Sequence, residues 1–343
     1  MIYTSGYLKG LLECARLNGA SGLANSTVLI TGASGLIGSA FADLLLSSNQ
    51  RLGTKITVKL AGRSEVAMRQ RFSCWGEEAY EFIQYDAGSD VSFDFDVDYI
   101  LHCASNAHPR LIAEEPVETL VNGVRGTANL LNYARFHMTK RLLYVSSSEV
   151  YGKRDGMEPY AEDEYYLVDP LSARSCYPNS KRACETLCAA YASEYGVDSV
   201  IARPGHVWGP TMTASDSRAH AEFARNAAAG QDIIMKSPGD QLRSYIYSTD
   251  CAGALLTILL KGKSNEAYNV GVPGETCTIR QLADALVEAG GVSIVRDFPT
   301  EDEARGYNPM SCSALKCEKL AALGFVTGYT LRDAAAQTID CMR

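Results

Sequence analysis

The chain has 343 residues, 46% hydrophobic and 21% charged, the balance of a globular protein with a sizeable core and not of a disordered or fibrous one. Its formal net charge of -8 repels phosphate backbones, so nucleic acid is not expected as a partner and any bound phosphate needs a local site. Eleven cysteines without CxxC spacing read as reduced, core-filling thiols, which points to the cytoplasm and to no metal site.

The first 25 residues form an N-terminal extension: a short helix is expected over 7–17, followed by a Gly/Ser/Asn-rich linker to Ser26. Lys9, Glu13 and Arg16 interrupt its apolar residues, so it does not read as a signal peptide, and no run reaches the roughly 18 apolar residues of a membrane span. From Ser26 apolar strands alternate with helical stretches: STVLITGASG then LIGSAFADLLLSS, KITVKLAG then SEVAMRQRF, DYILHCAS then PVETLVNGVRGTANLLNYARF, and RLLYVSSS. This order predicts an α/β fold, a Rossmann-type doubly wound parallel sheet covered on both faces. A loop rich in acids and tyrosines (155–169) precedes a long helix over 177–195 and a buried strand, SVIARPG. Beyond Pro204 the elements shorten, and YIYSTDCAGALLTILL is expected to return to the sheet. The expected division is 26–204 with 241–271 as the dinucleotide-binding domain, and 205–240 with 272–343 as a smaller, discontinuous α/β substrate lobe.

TGASGLIG follows an apolar strand and opens an amphipathic helix, the context a dinucleotide fingerprint requires. Gly32 permits the tight turn, Gly35 lets backbone approach a pyrophosphate, Gly38 lets helix and strand pack closely, and the helix N-terminus faces the negative charge. The second strand ends in Ala61, Gly62, Arg63 and Ser64 where an acid would mark NAD; an arginine and a serine there leave NADP open beside NAD. Tyr177 and Lys181 are four apart in CYPNSKRACETL, hence on one helix face, so that an ammonium favours a phenolate able to take a proton from a substrate hydroxyl as hydride leaves. Ser146, Ser147 and Ser148 close the preceding strand, where a hydroxyl can bond the reacting oxygen.

With HCASNAHPR at His102, VNGVRGTANLL at Asn122, SSSEVYG at Ser146 and QLRSYIYSTD at Gln241, the chain resembles the extended branch of the short-chain dehydrogenase/reductase superfamily, which modifies nucleotide sugars. SSSEVYG followed by RSCYPNSKRACETLC is most similar to UDP-glucuronate decarboxylases. The resemblance implies transient oxidation of the sugar C4 hydroxyl with a bound nicotinamide cofactor. It makes Tyr177 and Lys181 the base pair, Ser147 the counterpart of a catalytic threonine, and Glu149 an active-site glutamate, with Ser148 beside them. It adds Ser34, Leu36, Ile37, Ala87, Ala104 and Asn122 to the cofactor contacts and places Asp86 against adenine. It puts Arg243, His206 and Ser105 on the nucleotide-sugar substrate, His206 replacing an asparagine beside the diphosphate. Ser148 stands where 4,6-dehydratases carry an acid, which argues against dehydration, whereas Tyr307 stands where decarboxylases carry an arginine that Arg305 would have to replace. A 4-epimerase or dehydratase-like enzyme is the alternative reaction, and a cofactor-sensing binding protein the alternative class. Helices around 117–136 and 177–195 are apolar on more than one side, so a homodimer through a four-helix seam is expected, as in related enzymes.

Overall fold

The computed structural model describes residues 2–91, 93–297 and 310–343; the expectations for Arg305 and Tyr307 lie outside them. The first helix, α1 (Ser5–Leu17), starts one residue after Thr4, whose side chain accepts from the Tyr7 amide, and it presents Tyr7 and Leu11 to the interior. The strands and helices that follow are β1 (Thr27–Thr31), α2 (Leu36–Leu52), β2 (Thr57–Gly62), α3 (Glu65–Arg71), β3 (Glu81–Gln84), β4 (Tyr99–His102), α4 (Pro109–Glu114), α5 (Pro116–Phe136), β5 (Arg141–Val145), α6 (Cys176–Tyr195) and β6 (Ser199–Pro204). Next come β7 (His206–Trp208), α7 (Ala219–Ala228), β8 (Ile233–Met235), β9 (Leu242–Arg243), β10 (Tyr245–Tyr247), α8 (Ser248–Lys261) and β11 (Ala267–Val270). The chain closes with β12 (Cys277–Thr278), α9 (Ile279–Gly290), β13 (Ile294–Arg296), β14 (Cys312–Ser313), α10 (Glu318–Ala322) and α11 (Leu331–Met342).

Seven strands form one sheet in the order β11-β6-β5-β4-β1-β2-β3, and every pair in it is parallel. Alternation along the strands divides its two faces. Val28 and Ile30 of β1 face a core shared with α1, α2 and α8, whereas Leu29 joins Ile100, Leu142 and the apolar side of α5 and α6 on the other face. Chain direction across the sheet reverses between β1 and β4, which opens a crevice at the carboxyl ends of these strands.

One expectation changes. Tyr245–Tyr247 does not return to the main sheet: as β10 it pairs in parallel with β7, His206–Trp208, and the return is made through α8 to β11 beside β6. The YIY run is buried at all three positions and too short to show which sheet it joins, and the apolar α8 after it packs on the main sheet's core. The segment before Ser26 forms the expected short helix, and its end is tied into the fold. Asn18, at the end of α1, is buried and donates to the Cys14 and Val326 carbonyls, and its side-chain oxygen accepts from the Val326 amide and the Thr257 hydroxyl. A second apolar cluster, with Trp208, Phe223, Ile233, Leu282, Leu286 and Ile339, joins α7, α9 and α11 over the crevice. Leu36, at the start of α2, packs against both clusters, and its carbonyl accepts from Thr211 at 3.0 Å.

Candidate active site

The glycine turn has steric reasons at each position. Gly32 has φ of +67°, and a Cβ there would stand 2.8 Å from the Ala104 amide nitrogen; at Gly38 it would stand 2.5 Å from the Gly32 carbonyl oxygen. Gly35 precedes α2 with no side chain capping the helix, and its missing Cβ would lie 3.2 Å from the Gly32 oxygen. Uncapped amides and a path free of side chains are what a pyrophosphate needs, so these residues fit a dinucleotide. Ser34 is exposed there, and Ile37 is half-buried beside Leu36.

On the adenosine side, Ser64 is committed elsewhere: its hydroxyl accepts from the Ala67 amide and caps α3. Arg63 is exposed, and its backbone carbonyl accepts from Gln84. The Asp86 carboxylate accepts from the Gly88 amide in a local turn, Ala87 packs against Gly126 of α5, and Asn122 of α5 stands over Gly88. At the end of β4, His102 is buried between the Thr31 and Thr127 hydroxyls at 2.7 and 3.2 Å, and burial, then the charge of Lys181, lowers its pKa to about 3. This neutral imidazole ties β1, β4 and α5 together directly beneath the turn.

The strand end of β5 and the first turn of α6 converge beside it. Tyr177 and Lys181 are both buried on the inner face of α6. The Lys181 ammonium donates to the Val145 carbonyl at 2.8 Å and to Ser105 at 3.2 Å, and it lies 5.7 Å from the Tyr177 ring centre. It is thus anchored to β5 and the β4 loop and does not bond the phenol. Burial, and after it the Glu149 carboxylate, pushes the Tyr177 phenol up to about 12, while the Ser147 hydroxyl, Arg218 and Arg174 pull it back. Burial lowers Lys181 below its ordinary value. Of the three serines, Ser147 adjoins the phenol and also accepts from the Glu149 amide; Ser148 opens the short turn Ser148–Tyr151; Ser146 is withdrawn, donating to Glu185 at 2.6 Å in the buried Arg203–Glu185 pair. Glu149 is paired with Arg174 at 2.9 Å.

On the far wall, Arg243 is buried, and its guanidinium donates to the Leu242 and Met310 carbonyls with no carboxylate partner among the described residues. His206 lies beside it with a buried, unpartnered Nδ1, its pKa lowered to about 3 by burial and by Arg243 and Arg218. Arg218, whose charge also reaches Tyr177, is held by Asp216, and His220 packs at right angles to His206 against Tyr245. Arg218 acts on both the Tyr177 phenol and His206, and Arg243 acts on His206, so the phenol and these fixed cations belong to one neighbourhood, whose charge suits an anionic ligand.

The family model described as the NAD dependent epimerase/dehydratase family matches residues 28–271, from β1 to the residue after β11. The chain belongs to this family. Among curated relatives of this family member, UDP-glucuronic acid decarboxylase 3 of Arabidopsis thaliana is 33% identical over 271 residues, covering 79% of this chain and 76% of the relative. UDP-glucuronic acid decarboxylase 1 of Xenopus tropicalis is 32% identical over 282 residues, covering 81% of this chain and 64% of the relative. In fold the enzyme resembles the UDP-glucose 4-epimerase of Thermotoga maritima solved with UDP-glucose, at a TM-score of 0.76, 22% identity, and 92% and 97% of the two chains covered. It also resembles the UDP-glucuronic acid 4-epimerase of Bacillus cereus solved with UDP-glucuronic acid and NAD, at a TM-score of 0.74, 22% identity, and 92% and 98% covered. No helix among the described residues is long and apolar enough to cross a membrane.

Sequence reasoning alone did not reach Arg174, Arg218, Asp216 or His220. Arg174 had a readable signal, lying three residues ahead of Tyr177 where a helix start would carry it to the same mouth. Asp216, Arg218 and His220 are spaced by two, as in a strand, but the structure places them in the loop and first turn of α7, which the spacing does not announce.

Proposed function

We propose that this enzyme of the NAD-dependent epimerase/dehydratase family is a UDP-glucuronate decarboxylase forming UDP-xylose. The observation that carries the reading is the placement of Tyr177: a buried phenol beside Ser147, with the fixed ammonium of Lys181 5.7 Å from its ring and the Arg218 charge acting on both the phenol and His206, next to Arg243, which has no carboxylate partner among the described residues. The curated relatives at 32 to 33% identity are named for this reaction. The cofactor is NAD, in keeping with the family described as NAD dependent. A bound nicotinamide supplies the hydride acceptor and donor, and a positive charge beside the phenol. Gly32, Gly35 and Gly38 admit its pyrophosphate to the start of α2, and Lys181 and Asn122 flank its path.

Arg243 and His206 hold the diphosphate and orient the sugar with its C4 hydroxyl at Tyr177. Tyr177 removes the hydroxyl proton. Once C4 is a ketone, the bond from C5 to its carboxylate breaks, carbon dioxide leaves, and the electron pair passes to the C4 oxygen. There the Tyr177 and Ser147 hydroxyls donate to the developing charge, the contribution an oxyanion hole makes. A proton then adds at C5, and C4 is reduced again. The odd, unpaired cysteines fit a reducing compartment, and we place the enzyme in the cytoplasm.

The test is incubation of the NAD-loaded enzyme with UDP-glucuronate and analysis of products by mass spectrometry. UDP-xylose with carbon dioxide is expected; UDP-galacturonate alone identifies a 4-epimerase, and unchanged substrate removes the reading. Tyr177→Phe is expected to lower turnover by about 10²- to 10⁴-fold, the range of a lost general base, with the melting temperature unchanged.

A further inference from the structure

Arginines line this cleft in two states of commitment. Arg218 is clamped through Nε and Nη2 by Asp216, and Arg243 is buried on two backbone carbonyls. Arg174 differs. Among the described residues it makes one hydrogen bond, from Nη2 to Oε1 of Glu149, and its side chain is 52% exposed. A guanidinium has five N–H donors in a planar fork, so most of this one is uncommitted. It sits in the turn Ala173–Ser175 that leads directly into α6, and its charge reaches the Tyr177 phenol, as does that of Glu149.

If Tyr177 receives the C4 hydroxyl, the substituent on C5 lies one bond further along the ring and falls within the same mouth. A sugar carboxylate there would meet the carboxylate of Glu149. Two carboxylates in one partly desolvated site repel, and one is driven to take up a proton unless a cation stands between them. A neutral hydroxymethyl group faces no such penalty and gains nothing from a guanidinium fork.

Resting on the decarboxylase reading, we propose that Arg174 is the residue that selects a hexuronate over a neutral hexose: its guanidinium neutralises Glu149 and offers its free edge to the C5 carboxylate. Glu149 then acts as a positioning residue that holds the fork at the mouth. Bidentate pairing of arginine with carboxylate supplies direction as well as attraction, which lysine does not reproduce.

The experiment uses the NAD-loaded full chain carrying Tyr177→Phe, so that ligand is not consumed, and titrates UDP-glucuronate and UDP-glucose by calorimetry before and after adding Arg174→Gln or Arg174→Lys. Loss of a charge-assisted pair is expected to weaken UDP-glucuronate binding by about tenfold or more in Arg174→Gln, with UDP-glucose changed less than about twofold. Arg174→Lys should recover part of the preference through charge alone. Equal weakening of both ligands, or of neither, in either variant overturns the selective role. A Tyr177→Phe parent that does not bind UDP-glucuronate overturns the decarboxylase reading and this inference with it, whereas a parent that binds it and ignores Arg174 overturns this inference alone. Because the lysine variant keeps the charge and most of the stem, it carries the test if the glutamine variant fails to fold.

Discussion

At the scale of single residues, the histidines make the fold sensitive to acid. His102 and His206 have pKa values lowered to about 3, chiefly by burial, against about 6.5 for an unperturbed imidazole in the unfolded chain. The folded state therefore resists a proton that the unfolded state takes up. Stability from these groups is complete above about 6.5 and is lost progressively as pH falls toward about 3. For His102, urea unfolding at pH about 7.5 and about 5 should differ by roughly 2 kcal/mol more in wild type than in His102→Gln, whose amide does not titrate in this range. An identical pH dependence in both proteins would remove His102 as a source. The same residue illustrates what the sequence conceals. HCAS was readable as a strand end and as part of a family likeness, but the two threonines that bracket the ring, Thr31 and Thr127, come from different elements and carry no spacing signal. Gly32, Gly35, Gly38, Tyr177 and Lys181 were legible because each set belongs to one turn or one helix, where spacing dictates geometry. The partners of Ser146 and Ser64 were not legible for the converse reason: hydroxyls pair with the nearest donor or acceptor, and here these are Glu185 and the Ala67 amide.

At the scale of elements, α1 is bound to the sheet's helical layer through one carboxylate. Asp43, fully buried in α2, accepts from the Tyr3 hydroxyl at 3.0 Å, the Tyr7 hydroxyl at 2.9 Å, the Trp75 indole at 2.8 Å and Arg71 at 2.6 Å. Burial and the Asp43 charge raise the pKa of both tyrosines, so both remain hydroxyl donors at neutral pH. Helix α1 with the chain leading into it, α2, and the end of α3 with the stretch after it thus share one acceptor. Asp43→Asn leaves Arg71, itself only 13% exposed, without its counter-charge, and breaking such a buried pair costs about 3–5 kcal/mol. A urea unfolding curve that moves by less than about 1 kcal/mol would show that the network is solvated and dispensable. In the sequence this asset is invisible. Asp43 stands between the apolar runs of α2 with no spacing signal for a partner, and only the arrival of Tyr3, Tyr7 and Arg71 from elsewhere explains why a buried carboxylate is tolerated there.

At the scale of the whole molecule, the parallel sheet was legible because βα alternation leaves few topologies open, whereas the small sheets over the crevice were not, since strands of two or three residues such as β9, β10 and β12 give no period to read. What the fold leaves uncovered bears on assembly. Helix α5 buries Leu130, Leu131 and Ala134 on its inner side, yet Val117, Leu120 and Val121, at i, i+3 and i+4, are 66%, 38% and 52% exposed along one outward stripe. Further along the α5 and α6 pair, Phe136 and Tyr195 are exposed as well. An apolar stripe of this kind is covered most simply by its own copy about a two-fold axis, giving a four-helix seam in which every contact occurs twice. Sedimentation velocity at micromolar concentration should therefore show a homodimer for the wild type. Val121→Glu puts a carboxylate into the apolar seam on both subunits, where desolvation without a partner opposes association, so this variant should sediment as a folded monomer. A wild-type protein that sediments as a monomer across the same range overturns the seam, and a Val121→Glu protein that stays dimeric moves the interface to another face.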